Sequence, residues 1–147
     1  MKHALSSLLF ALCPLLTQAA DSGVTPNAPV TNFKLVILND EGFRSSLLRG
    51  SEARYINASQ IDLVGMQYTT FIEDGTNEID STLLAPTATV FVDKNKVKVH
   101  GDEGVRLIRK NVDVTGERWT YEHSQKRILI EKNVHVVFHI ELKDILK

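Results

Sequence analysis

Apolar and polar residues alternate along most of the chain, with the apolar residues two positions apart. Clear examples are the pairs Ala53 and Tyr55, Val97 and Val99, and Ile128 and Ile130. Because successive side chains of a β-strand point to opposite faces, this spacing places the apolar residues on one face of each strand. The intervening residues, such as Arg54 and Lys98, are polar and suit a face in contact with water. The pattern therefore predicts half-buried strands.

A hairpin pattern occurs three times, in residues 48–63, 85–99 and 116–130. Aligning Ala53, Ala88 and Trp119 gives offsets of 35 and 31 residues, and the same alignment brings Gly50, Ala85 and Gly116 into register. Such self-similarity indicates one structural unit used repeatedly. A single half-buried hairpin is not stable alone, so we expect the units to cover one another's apolar faces.

The alternation and the turn residues between the alternating segments predict seven strands. They are expected at residues 31–38, 43–55, 61–72, 79–92, 96–109, 112–122 and 127–140. The alternation changes phase at Gly65, which predicts a bulge there, and the run from Gly101 to Gly104 predicts a break in its strand. We therefore expect an all-β, antiparallel domain over residues 31–140: a sandwich, a barrel or a jelly roll open at its ends.

The two ends of the chain differ in composition from this domain. Residues 1–20 combine a short basic start, an apolar run and small residues before Ala20, which predicts a secretory signal peptide; an uncleaved membrane anchor is the alternative. Residues 21–30 contain Pro26 and Pro29 and predict a flexible linker. Residues 141–147 form a tail with apolar residues at helical spacing.

Charge and motif content argue against several classes of function. Without residues 1–20 the chain keeps 16 basic and 18 acidic side chains, which does not suit a nucleic-acid backbone. The single cysteine, Cys13, lies in the predicted signal peptide, so no disulfide is expected. We find no nucleophile elbow or phosphate-binding glycine loop, and we expect neither an enzyme nor a cofactor.

No metal site is expected either. His135 and His139 are four residues apart but lie in an alternating segment, and on a strand their rings would be about 13 Å apart, too far to share one zinc ion. The acidic residues of 73–80 lack the pattern of an EF-hand loop and suit a charged hairpin turn.

The shared apolar face is the candidate functional surface. An open roll would present it as a groove able to hold acyl chains, although for any single residue simple core packing is the more common role. The predicted groove residues are Ala53, Tyr55, Ile61, Leu63, Ala88, Val90, Val97, Val99, Trp119, Tyr121, Ile128 and Ile130. The ends of the sheet are candidate docking strands. Their apolar residues are Phe33, Leu35 and Ile37 in the first strand and Val134, Val136 and Phe138 in the last.

The repeated unit resembles the LptC and LptA (OstA-like) family of periplasmic lipopolysaccharide-transport proteins. The resemblance covers about residues 32–138 and lies in the pattern of Gly, then Ala or Trp, then Tyr, a polar turn and an Ile-x-Leu return. The segment from Leu48 to Tyr55 and the closing run from Gly116 to Val136 are most similar to the LptC branch, whereas the cleavable N-terminus departs from it. The choice between an LptC-like and an LptA-like role stays open.

This resemblance implies a twisted β-jelly roll that passes lipopolysaccharide along its interior between an inner-membrane transporter and the outer membrane. It also implies edge-to-edge strand pairing with other bridge and transporter subunits, in the periplasm, with possible peripheral association with the inner membrane. The alternative is a closed periplasmic β-domain that acts as a scaffold or interaction module without lipid transfer.

Overall fold

The computed structural model describes residues 28–94 and 96–140, which form seven β-strands. The strands are β1 (Val30–Leu38), β2 (Arg44–Asn57), β3 (Gln60–Phe71), β4 (Ile79–Asp93), β5 (Lys96–Arg109), β6 (Val112–Glu122) and β7 (Arg127–Phe138), with a short 3-10 helix (His123–Gln125) before β7. The predicted bounds differ from these by two residues at most. The predicted signal peptide with Cys13, residues 21–27 of the predicted linker and the 141–147 tail lie outside the described residues.

All seven strands belong to one antiparallel sheet, in which each strand pairs with the next in the chain. The strand order is therefore the sequence order, and β1 and β7 are the two edges, with no pairing between them in the described part of the chain. The all-β fold of long antiparallel hairpins, open at its edges, is thus confirmed, and it is consistent with a twisted β-jelly-roll-like architecture.

Near the middle of most strands the inward-facing residues change from even-numbered to odd-numbered positions, or the reverse; we call this a phase change. In β2 the buried positions change from Leu48 to Ala53, and in β3 from Leu63 to Met66. Gly65, where the sequence predicts a bulge, has φ +60°, but the ladders from β3 to β2 and to β4 keep their register past it, so the phase changes there without an extra residue. Asn32, Arg118 and Asn133 in β1, β6 and β7 also have positive φ. Bulges with a register shift lie at this level in the β5–β6 and β6–β7 ladders, and such bulges bend a strand and increase its twist. Because the phase changes fall in line across the sheet, they let both halves of each strand keep their apolar side chains inside.

The predicted break at Gly101 to Gly104 is wrong. The strand β5 continues through these residues, and the ladder to β6 shifts by one position there. Two glycines are thus accommodated by a bulge, because β6 continues alongside and keeps the strand paired on both sides of the irregularity. The ladder between β4 and β5 is interrupted at the same level, from Leu84 to Thr89, where Pro86 has no N–H to donate.

The sheet bends so that its two halves face each other. The rings of Tyr68 in β3 and Tyr121 in β6 have centroids 5.3 Å apart. In a flat sheet, three strand spacings would separate these strands by about 14 Å. The buried core lies between the halves and includes Leu48, Tyr68, Leu83, Val90 and Trp119, each at most 2 % exposed.

Candidate functional site: the apolar interior

The predicted groove residues form continuous rows across the sheet. One row runs through adjacent strand pairs as Tyr55, Ile61, Val90, Val99, Tyr121 and Ile128. A parallel row contains Ala53, Leu63 and Ala88 on β2 to β4, and Trp119 and Ile130 on β6 and β7. The twelfth residue, Val97, lies opposite Val92 at the next inward position. The structure therefore brings the predicted set together on one face.

These twelve side chains differ in their exposure. Nine are buried, and Ile128 and Ile130 are partly buried against the same core. Tyr55 is the exception, because 47 % of its surface is exposed while its ring packs edge-on against Phe33 with centroids 6.1 Å apart. Tyr55 therefore lies at the open boundary of the interior, and the other predicted residues fill it.

The predicted groove does not include the other half of the interior, where the sequence predicts only residues of the edge strands, such as Leu35 and Val136. A second continuous row crosses all seven strands through Leu35, Leu48, Tyr68, Leu83, Leu107, Val114 and Val136. The repeat that guided the prediction lies mainly in the half containing Trp119. From Met66 onward, beyond the phase change, the inward residues of β3 lie at even-numbered positions. This alternation is the sequence signal that identifies the rest of the interior.

The two edge strands present their apolar residues differently. In β1, Phe33 is buried and Leu35 and Ile37 pack against the core. In β7, Val134, Val136 and Phe138 are 47 %, 47 % and 66 % exposed. Because Val136 lies opposite Val114 and Phe138 opposite Val112, these side chains extend the inner face beyond the packed core. The C-terminal part of β7 is therefore an apolar edge accessible to a partner or a ligand.

A polar cluster that the sequence did not reveal lies where the β6–β7 turn meets the opposite half of the sheet. Ser45 Oγ is 2.9 Å from Glu73 Oε1 and 2.7 Å from His123 Nε2, and Lys126 Nζ is 3.6 Å from Glu73 Oε1. Hydrogen bonds from Ser45 and Asn39 hold the pKa of Glu73 below its usual value. Burial lowers the pKa of His123.

This cluster contains a serine, a histidine and a carboxylate, but its hydrogen bonds are not those of a hydrolase triad. In a triad the carboxylate orients the imidazole, and the imidazole accepts the serine proton. Here the carboxylate accepts from Ser45 itself, and His123 Nδ1 faces the Tyr121 hydroxyl at 3.4 Å. The serine proton is therefore directed away from the imidazole, and the arrangement holds two hairpin turns together.

The described histidines and acidic residues form no metal centre: residues 28–94 and 96–140 contain no group of three or more His, Cys, Asp or Glu side chains able to hold an ion. His135 lies in β7 opposite Thr115, and His139 follows the strand. In the turn after β3, Asp74 instead accepts hydrogen bonds from Thr76.

Comparisons with known proteins add no family assignment. The chain matches no protein-family model and no curated protein. Within the part of the chain that the structure describes, no helix has the length and apolar character needed to cross a bilayer.

Proposed function

We propose that this protein is a periplasmic component of lipopolysaccharide export, of the LptC and LptA type, that holds the acyl chains of lipopolysaccharide or a similar amphiphile. The observation that carries the proposal is the continuity of the apolar face. Rows of inward apolar residues cross from strand to strand and reach exposed apolar side chains at β7, including Val136 and Phe138. Acyl chains need a surface of this kind, long and apolar, without requiring individual polar contacts.

The proposal requires the interior to open when the lipid binds. Val90, Val99 and Trp119 are at most 2 % exposed, so their surfaces pack against neighbouring side chains. The halves of the sheet meet through side chains, and the edges β1 and β7 are not paired with each other in the described residues. Separating the halves therefore breaks side-chain contacts without breaking the β ladder, and the apolar surface of an acyl chain replaces the lost burial.

Photo-crosslinking from both faces of the same strands tests this function. A photoreactive residue replaces Tyr55 or Ile130, which belong to the inner face, in cells that produce lipopolysaccharide. Ile56 and Leu129 are matched controls, because they are apolar and exposed but adjacent along the strand and so directed to the other face. We expect lipid adducts at the inner positions only. Equal labelling of both faces would contradict the proposal.

The filled interior favours a second candidate function, that of a scaffold or interaction module without lipid transfer. In that case the apolar rows are only the core, and the exposed edge of β7 is the surface that binds a partner. Lipid that co-purifies with the folded protein distinguishes the two, because a scaffold with a permanently filled core has no volume to retain it.

Edge-to-edge pairing with other bridge and transporter subunits belongs to the same proposal. An unpaired edge strand offers backbone N–H and C=O groups to another chain. The β7 edge combines such groups with the exposed side chains of Val134, Val136 and Phe138. A strand added there would continue the inner face into the neighbouring subunit, so the lipid path would cross the junction.

A further inference from the structure

The turn between β6 and β7 joins the two halves of the sheet. Its residue His123 is hydrogen-bonded to Ser45 at the start of β2, and its Lys126 is paired with Glu73 after β3. In the sheet, β2 and β6 are separated by three other strands. These contacts therefore do not belong to any β ladder, and they exist only while the halves of the sheet face each other.

The hydrogen-bond directions at this junction follow from the groups present. A carboxylate only accepts, so the Ser45 hydroxyl donates its one proton to Glu73. His123 Nε2 must then carry a proton and donate it to Ser45 Oγ, which leaves Nδ1 as an acceptor facing the Tyr121 hydroxyl. The junction is thus satisfied by a neutral imidazole. A second proton, on Nδ1, would place a positive charge on a buried ring whose neighbour at that nitrogen is an uncharged hydroxyl.

The groups around His123 oppose that second proton on balance. Burial lowers the pKa of His123, Lys126 acts in the same direction, and Glu73 opposes both. Tyr68 and Tyr121 pack against the imidazole with ring centroids 6.0 and 6.2 Å away. Burial raises the pKa of both phenols, that of Tyr121 to about 12, so neither supplies a negative charge near neutral pH.

The junction also borders open space on its solvent side. A cavity of about 300 Å³ lies between the turn after β1 and the β6–β7 turn, and Asp40 and Lys126 are among its lining residues. Solvent therefore reaches the rim of the junction, and a proton can enter without prior unfolding of the sheet.

We propose that Ser45, Glu73, His123 and Lys126 form a latch that holds the two halves of the sheet closed over the apolar interior and is released by acid. Its role in admitting an amphiphile rests on the function proposed above, whereas the opening itself does not. The closed form binds fewer protons than the open form as the pH falls below about 6.5, the ordinary pKa of histidine, so the closed form loses stability in that range. Each unit by which closure lowers the histidine pKa shifts the open-to-closed ratio by up to about tenfold.

The fluorescence of Trp119, the only tryptophan in the chain, measures opening of the latch without an added label. Its side chain is 2 % exposed in the closed interior, so opening would expose it to a quencher. Acrylamide quenching of its fluorescence is measured on the full-length protein from about pH 7.5 to about pH 5, a range that brackets the histidine titration. We expect quenching of the wild type to increase several-fold as the pH falls. In His123→Gln the increase should be largely lost, because an amide can donate to Ser45 but does not titrate here.

His135→Gln is the matched control, since His135 is an exposed histidine of β7, and it should follow the wild type. Ser45→Ala removes the bridge at every pH and should raise quenching at neutral pH, with far-UV circular dichroism showing that the sheet is retained. Together with the wild-type curve, it decides the question even when His123→Gln does not fold.

A wild-type curve that is flat with pH, or one that is unchanged in His123→Gln, overturns the latch. Uptake of a fluorescent fatty acid, measured in parallel, separates the two proposals. Acid-dependent quenching without uptake supports the latch and contradicts lipid binding, and uptake without acid-dependent quenching contradicts the latch alone.

Discussion

Trp119 lies against Gly101 on the neighbouring strand, with its indole Nε1 2.7 Å from the point where a Cβ atom of residue 101 would stand. The same point is 3.1 Å from the carbonyl oxygen of Thr87. The backbone of Gly101 has no positive φ. Gly101 is therefore required by the volume of the indole and not by a turn. In the sequence repeat, Trp119 stands where the other two copies have alanine, and the missing side chain at Gly101 makes room for it.

We expect Gly101→Ala to destabilise the protein by about 1–3 kcal/mol, the usual cost of overpacking a filled core. The methyl group would collide with Trp119 Nε1 and approach backbone that cannot move freely. Gly104→Ala is the control, because a Cβ there meets only one atom, the Gly116 carbonyl oxygen at 4.0 Å. Urea denaturation followed by circular dichroism measures both variants. Similar losses of stability in the two would show that the bulge, and not the indole, requires glycine.

The strands were predictable because each has one apolar face and is bounded by turn residues. The repeat also placed Ala53, Ala88 and Trp119 at one level. The ladder joins Ala53 to Ala88 through Leu63, and Trp119 lies opposite Gly101, one position beyond the pair of His100 and Thr89. The contacts of the β6–β7 turn were not predictable. Ser45 and His123 are 78 residues apart, and no spacing rule links them, because their meeting depends on how far the whole sheet bends.

The phase changes explain why half of the interior is absent from the predicted groove. A regular strand keeps one parity of residue inside, so a list built on one parity fails beyond a change of phase. Gly65 signalled the change in β3. In β6 the change falls at Arg118, which adopts φ +50°. Arginine is not a residue type that indicates positive φ, so this change could not be predicted from the sequence.

Tyr68→Phe tests the polar end of the interior. The Tyr68 hydroxyl donates to Ser46 Oγ at 3.0 Å, and both residues are fully buried. Because the variant leaves the buried Ser46 hydroxyl without this donor, we expect a loss of about 1–2 kcal/mol in the free energy of unfolding. Tyr55→Phe, at a half-exposed ring, should change it by less than about 0.5 kcal/mol. Equal effects would argue that the Ser46 contact contributes nothing.

The carboxylate of Glu73 predicts an acid-dependent contribution to stability. Hydrogen bonds lower its pKa in the folded state, so its stabilisation is present above the pKa of the unfolded chain and is lost as the pH falls through the lower, folded value. The stability difference between wild type and Glu73→Gln should therefore shrink as the pH falls from about 6 to about 3. Thermal unfolding across that range measures it, and Glu78→Gln in the same turn controls for the removed charge. A difference that stays constant with pH would exclude this contribution.

The N–H groups of β7 alternate between the neighbouring strand and the open edge. The His139 N–H donates to the Asn111 carbonyl oxygen at 2.9 Å, so residue 139 is directed toward the β6 side. Residues two apart on a strand share their direction, which directs Val137 toward β6 and Val136 toward the open edge. Val136→Pro thus removes an N–H that only an added strand would use.

This geometry makes Val136→Pro a selective test of edge-to-edge docking. We expect the variant to keep most of its stability, because the β6–β7 ladder is intact. It should lose co-purification with the partner subunit proposed above, because proline removes a donor from the ladder that the two would share. Val137→Pro is the converse control, since it removes a bond to β6 and should lower the melting temperature. Pull-down of the partner and thermal unfolding are measured on the same preparations. If pull-down survives both Val136→Pro and deletion of residues 134–147, β7 is not the docking strand, and the β1 edge, with Phe33 buried and Asn32 at φ +53°, becomes the one to test.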